Sequence, residues 1–213
     1  MKNNNGFFVS GTDTDVGKTV VSAILVHKLK GVYWKPIQCG RNQNGLTDKQ
    51  LVINLLKLKK NRFLDESYFF EDPISPNLAS KKKNLKISLK NISHNKILKD
   101  PLIVEGAGGL MVPINEKDLI VDLIKFIGLP LILVARTSLG TINHTLLSIE
   151  FLKSRGQSLF GIVFVGNKNN SVEKTIFKFG KRIEKKLKII GRIPIIKKIN
   201  RKSIKKFSNL IKI

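Results

Sequence analysis

The densest chemical signal in the chain is the run Gly11-Thr12-Asp13-Thr14-Asp15-Val16-Gly17-Lys18-Thr19. It lies between a short apolar run, Phe7 to Ser10, and a helical pattern, Lys18 to Leu29 (KTVVSAILVHKL). A loop of this make-up can hold phosphate. Backbone N–H groups at the start of the helix, among them those of Asp15, Val16 and Gly17, face the anion, and the helix dipole helps. Lys18 reaches the β- and γ-phosphates, and the Thr19 hydroxyl can ligate Mg²⁺. The usual pattern is G-x-x-x-x-G-K-[ST]. Here Thr12 stands at the first Gly position and Gly11 comes one residue earlier, so the loop is a variant. The dinucleotide fingerprint G-x-G-x-x-G is absent.

Other residues stand where strands end or helices begin. Lys35 ends a short apolar run and Asp48 begins a helical one. Taken singly, each reads more readily as a solvated surface group. Glu105 ends the apolar run Leu102 to Glu105, where an unpaired buried carboxylate is costly. Gly140 to Asn143 opens a helix whose N–H groups can hold a carboxylate, or it is an ordinary helix start. Cys39 is the sole cysteine. It excludes an internal disulfide framework, and it has no identifiable His partner for nucleophilic catalysis. His27, His94 and His144 are not spaced as metal ligands.

The elements that must position these groups alternate. Strands are expected at Phe7–Ser10, Val32–Lys35, Leu102–Glu105, Leu131–Ala135, Leu159–Val165 and Ile189–Ile193. Helices are expected at Lys18–Leu29 (ended by Gly31), Thr47–Leu58 (Thr47 as N-cap), Asp118–Ile127, Thr141–Ser154 and Ser171–Leu187. A polar loop is expected from Gln38 to Thr47. Within 61–99 only a Pro-rich loop, Asp72 to Pro76, and a lysine-rich stretch can be read. Short apolar strands alternating with helices predict an α/β fold, a mostly parallel sheet with helices on both faces. In such sheets ligands bind at the C-terminal strand ends, where Thr12–Thr19, Lys35, Glu105–Gly109, Ser138–Asn143 and Asn167 all fall.

With 213 residues and 42% hydrophobic content, one domain spanning 1–213 is expected. No run is long enough for a membrane-spanning helix, and the polar N-terminus does not read as a signal peptide; the expected location is the cytoplasm. The net charge is +24. Such a charge suits a nucleic-acid binder. The excess is mostly lysine accompanied by many Ile and Asn, as compositional drift produces. The basic stretches lack the interleaved aromatics of a single-strand stacking surface.

The loop G-T-D-T-D-V-G-K-T resembles the signature loop of the dethiobiotin synthetases, and further segments extend the resemblance. Lys35-Pro36-Ile37-Gln38-Cys39-Gly40 resembles K-P-x-x-[ST]-G, and Ser75-Pro76 resembles S-P-H. Val104-Glu105-Gly106-Ala107-Gly108-Gly109 resembles V-E-G-A-G-G. Leu139-Gly140-Thr141-Ile142-Asn143-His144 resembles L-G-x-I-N-H. Together they span about Phe7 to Pro194. The loop alone would leave partitioning ATPases that bind DNA, or related amidoligases, open.

The resemblance implies a P-loop fold and an ATP- and Mg²⁺-dependent ligase. Its substrates would be 7,8-diaminopelargonate and CO₂, and its assembly a homodimer. It implies catalytic roles for Lys35, Lys18 and Thr14. It implies Thr19, Asp48 and Glu105 as Mg²⁺ ligands, with Gly106, Ala107 and Gly108 beside the nucleotide. It implies substrate contacts from Thr14, Lys35 and Cys39, and from Gly140 to Asn143 of the partner subunit. Three departures stand out. Cys39 replaces Ser or Thr, and Asn77 replaces His. Val165 stands where the family carries its adenine-reading Asn, which leaves Asn167 as the nearest Asn. Pro194, Ile195 and Ile196 resemble the segment flanking adenine.

Overall fold

A computed structural model describes residues 5–93, 99–196 and 198–213. In chain order the elements are β1 (Gly6–Gly11), α1 (Lys18–Leu29), β2 (Val32–Trp34), β3 (Ile37–Cys39), α2 (Asp48–Leu56), β4 (Tyr68–Phe70), α3 (Pro76–Lys82), β5 (Leu102–Gly109), α4 (Ile120–Ile127), β6 (Leu131–Arg136), α5 (Thr141–Ser154), β7 (Leu159–Val165), α6 (Asn170–Ile183), β8 (Ile189–Ile193) and α7 (Arg201–Ser208). Two short 3₁₀ turns lie at Lys60–Arg62 and Leu89–Asn91.

Six strands form one parallel sheet in the order β2-β5-β1-β6-β7-β8. Successive residues of a strand point to opposite faces, and the core divides accordingly. Phe8, Trp34, Leu133 and Phe164 pack on one face; Val9, Tyr33, Ile132 and Val163 pack on the other. Covered on both sides, the strands read as continuous apolar runs. The expected α/β fold is the one observed. Strand β1 is where the chain switches direction across the sheet, with β5 on one side and β6 on the other. That switch point is where ligands bind in open α/β sheets, and the loop 12–17 sits on it.

Several boundaries differ from expectation for local reasons. Helix α1 ends at Lys30, which takes the left-handed conformation (φ 51°). Gly31 is required by crowding instead, since a Cβ there would lie 2.5 Å from the Pro101 carbonyl oxygen. The expected loop at Gln38 begins as strand β3, paired in parallel with β4 in a separate two-stranded sheet. Three residues per strand carry no periodicity to read. Helix α4 starts at Ile120 because Asn115 Oδ1 draws the Asp118 N–H into a turn at 2.7 Å. Helix α6 stops at Ile183, where Glu184 turns extended. Helix α7 has no counterpart among the expected elements. Its Ile204 and Phe207 are buried in the α1-side core, hidden in the sequence among Arg201, Lys202, Lys205 and Lys206.

Candidate active site

Strand β1 delivers the chain to the phosphate loop, and the backbone there is fixed by contacts on three sides. The Thr12 N–H donates to the Val134 carbonyl of β6 at 2.9 Å. Gly17 is left-handed (φ 97°), and a Cβ on it would meet the Val165 side chain at 3.0 Å. Asp15 is also left-handed (φ 53°), a conformation that Asp adopts more readily than most residues. Lys18 is buried, and its Nζ donates to the Asp13 carbonyl at 2.9 Å. Burial, then repulsion from Lys35, lowers its pKa to about 8.

Beside the loop, four elements bring four side chains together. Thr19 comes from the first turn of α1, Asp48 from the start of α2 and Glu105 from β5; Lys35 directly follows β2. Lys35 Nζ pairs with Asp48 Oδ2, and with Glu105 Oε1 at 3.2 Å. Thr19 Oγ1 lies 3.0 Å from Asp48 Oδ1 and 2.8 Å from Glu105 Oε1. Lys35 is only 6% exposed and Glu105 1%, so neither is the solvated group that a strand-end charge suggests. Burial opposes the Lys35 charge, but Glu105 and Asp48 outweigh it and raise the pKa above the ordinary lysine value. Burial likewise opposes the Asp48 carboxylate, and Lys35 outweighs it, holding the pKa low.

Further groups hold the two carboxylates in place. The Tyr33 hydroxyl, fully buried, donates to Glu105 Oε2 at 2.9 Å. Asp48 stands at the start of α2 because Thr47 caps that helix in a reciprocal box with Gln50. Its own N–H donates to Gln38 Oε1 at 3.3 Å. Sequence reasoning missed Tyr33, although a phenol in a fully apolar strand needs a polar partner for its hydroxyl.

The cluster holds two carboxylates, one hydroxyl and one ammonium. Its oxygens are hard donors of the kind Mg²⁺ takes, and a single Thr19 proton serves two carboxylate oxygens. Among the described residues no group of three or more His, Cys, Asp or Glu side chains could hold a metal by itself. That fits an ion bound through one or two carboxylates and completed by phosphates and water.

The glycines after Glu105 continue β5 to Gly109. Pairing with β1 slips between Val9–Glu105 and Gly11–Gly109, which sets Gly109 beside Gly11 and Thr12 where the phosphate loop begins. Gly106 has no room for a side chain, because a Cβ would come 2.9 Å from the Phe8 ring. Cys39, half-buried against the core, has its thiol pKa pushed up to about 11 by burial, with Lys35 opposing. It is a thiol at neutral pH, contrary to what an attacking cysteine requires. Ser75 Oγ donates to Asn77 Oδ1 at 2.7 Å, and Pro76 opens α3.

Two further groups of residues lie apart from this cluster. Asn167, Val165 and Ile195 line a cavity of about 270 Å³ together with Arg136, Thr137, Ser138, Gly166, Lys168 and Asn169. Pro194 and Ile196 flank Ile195 at the end of β8. Gly140 to Asn143 line a different cavity, about 620 Å³, walled by Leu139, Leu146, Leu147, Val172 and Ile183. None of Lys35, Asp48 or Glu105 lines it. The Thr141 hydroxyl donates to the Arg136 carbonyl at 2.7 Å, which secures the start of α5. His27 and His144 are helix residues of α1 and α5, as expected, and His94 falls outside the described residues.

Sheet order, loop position and the Lys-Thr helix start are those of the P-loop ATPase fold. Among solved structures, a ParA family ATPase from Chlorobium tepidum matches with a TM-score of 0.55 at 12% identity, covering 98% of this chain and 92% of that one. A putative plasmid partition protein from Borrelia burgdorferi, bound to AMPPNP, gives 0.53 at 14% identity, covering 98% and 97%. A family model described as an AAA domain matches residues 5–203. The chain belongs to the ATP-dependent dethiobiotin synthetase family. It is 42% identical over 193 residues to the ATP-dependent dethiobiotin synthetase of Brucella melitensis, covering 91% of this chain and 87% of that protein. Its identity to that of Christiangramia forsetii is 46% over 187 residues, covering 88% and 86%.

Proposed function

We propose that this chain is an ATP- and Mg²⁺-dependent dethiobiotin synthetase, joining CO₂ to 7,8-diaminopelargonate and closing a cyclic urea. The observation that carries the reading is the Lys35–Asp48–Glu105–Thr19 cluster, with Lys35 and Glu105 buried, set against the phosphate loop. Family relatives at 41–46% identity bear the same activity in their names.

The chemistry runs in three bond changes. One substrate amine adds to CO₂ and loses a proton, giving a carbamate. A carbamate oxygen attacks the γ-phosphorus, and ADP leaves. The second amine attacks the carbonyl carbon and loses a proton, phosphate leaves, and the ring closes. The chain's contribution is positioning and charge stabilisation, as in other phosphoryl transfers. Loop N–H groups and Lys18 hold the β- and γ-phosphates, and this reading sets Thr14, exposed on the loop, toward the reacting groups. Lys35, kept charged by its two carboxylates, has three N–H donors. Two are engaged, and the third is available for the carbamate or the transferring phosphoryl oxygen. Thr19, Asp48 and Glu105 would hold Mg²⁺, which neutralises charge developing between the β- and γ-phosphates.

Cys39 lies beside Lys35 and offers the substrate a weakly polar contact. The N–H groups at Gly140 to Asn143 suit the substrate's carboxylate. They line a cavity apart from Lys35, so this reading takes them from a second copy, and the working unit is a homodimer. Asn167, Pro194, Ile195 and Ile196 border the base. ATP is a co-substrate, and the reaction belongs in the cytoplasm; no helix among the described residues is long and apolar enough to cross a membrane. The basic surface has no nucleic-acid role in this reading.

The test is ADP release from purified protein with diaminopelargonate, bicarbonate and MgATP. Turnover should require the diamine. ADP release that ignores the diamine, or none at all, would sink the assignment. Turnover with a substrate lacking the second amine would point to a related amidoligase.

A further inference from the structure

Arg136 belongs to none of the motifs, yet it stands where a bound nucleotide has to pass. The phosphate loop leaves β1, and the 270 Å³ cavity opens at the ends of β7 and β8, where Val165, Asn167 and Ile195 lie. Strand β6 runs between β1 and β7. A nucleotide with its β- and γ-phosphates on the loop and its base in the cavity therefore crosses the end of β6, and Arg136 is the last residue of that strand. Its register partner on β7 is Val165.

The guanidinium is already tied to the loop. Arg136 Nη2 donates to the Thr14 carbonyl at 2.6 Å. The residue is exposed and lines the cavity. Among the described residues it forms no ion pair. A guanidinium carries five N–H donors in a planar fork, so one bond to a carbonyl leaves charge and donors for an anion. The part of a nucleotide that lies between loop phosphates and base is the α-phosphate with its ribose.

We propose that Arg136 is a nucleotide-positioning residue that clamps the phosphate loop through the Thr14 carbonyl and presents its charge to the α-phosphate. The proposal rests on the nucleotide reading of the site. It accounts for an Arg at the end of a strand whose other residues are all buried and apolar. It also gives the nucleotide a fixed contact midway between its two ends, in a site where Val165 offers the base no hydrogen bond.

The experiment is calorimetric titration of ATP, ADP and AMP into wild type, Arg136→Gln and Arg136→Lys, with steady-state turnover alongside. Arg136→Gln should weaken all three nucleotides by about tenfold, as loss of a charge-assisted hydrogen bond does. Its kcat at saturating ATP should stay within about twofold, and Arg136→Lys should keep most of the affinity. Affinities unchanged in Arg136→Gln, or a loss confined to ATP, would overturn the proposal. So would a fall in kcat at unchanged affinity, which marks a role in loop shape alone. A wild-type chain that binds no ATP would instead bring down the nucleotide reading on which the proposal stands.

Discussion

The proposed site has two unlike ends. Around Lys35 every charge is partnered within one chain, with Lys35 and Glu105 buried: Asp48, Glu105, Thr19 and Tyr33 close on one another from four strands and helices. Around Gly140 the start of α5 carries no side-chain cap, Leu139 is fully exposed and Leu147 largely so. The first end is complete within one chain, and the second is an exposed apolar surface at the start of a helix. A phosphoryl-transfer centre must be stiff and dry before substrate arrives, so a single chain builds it whole. A carboxylate anchor can be assembled by association, and exposed apolar patches of this kind mark such surfaces.

The largest effect should come from breaking the finished end. Lys35→Gln removes the cation between two buried carboxylates, and turnover should fall by about 10³ while MgATP binding is largely spared. Single-turnover kinetics and nucleotide titration check both halves; unchanged turnover would remove Lys35 from the chemistry. Next comes the open end. Leu139→Asp should leave ATP binding intact, shift sedimentation from dimer to monomer, and lower diamine-dependent turnover about 10- to 100-fold. A variant that stays dimeric and active would show that this surface is not the interface.

A pH profile separates the two ends further. The depressed Lys18 pKa of about 8 means the free enzyme loses that positive charge as pH rises through 8. The ratio kcat/KM for ATP should therefore fall about tenfold per unit above that pH. That fall belongs to the phosphate-loop end, where Lys18 sits. The smallest effect belongs to Cys39→Ser. With its thiol pKa near 11, Cys39 makes no thiolate at neutral pH, and the change should alter turnover less than about threefold.

This division also explains what could be read from the sequence. The phosphate loop, α1, α5, β7 and β8 are local patterns, and the fold follows from their alternation. Lys35, Asp48 and Glu105 could be singled out by type and by resemblance. Their mutual pairing could not, because it depends on β5 entering the sheet between β2 and β1, some 70 residues from Lys35 along the chain. Strands β3 and β4 escaped because each is three residues long with a partner about 30 residues away. Helix α7 escaped because Ile204 and Phe207 alone mark its buried face among lysines. Tyr33 and Arg136 lack any motif; each is found only once its neighbour across the sheet is known.

The cap on α2 has a thermal consequence. Asp48 is the first residue of that helix, held there by the Thr47–Gln50 box, and caps of this kind contribute about 1 kcal/mol. Helix ends fray before the body of a domain melts. On warming, the first turn of α2 should loosen while the sheet is intact, drawing Asp48 away from Thr19 and Lys35. Heat should therefore silence this enzyme reversibly, some degrees below the temperature at which it unfolds.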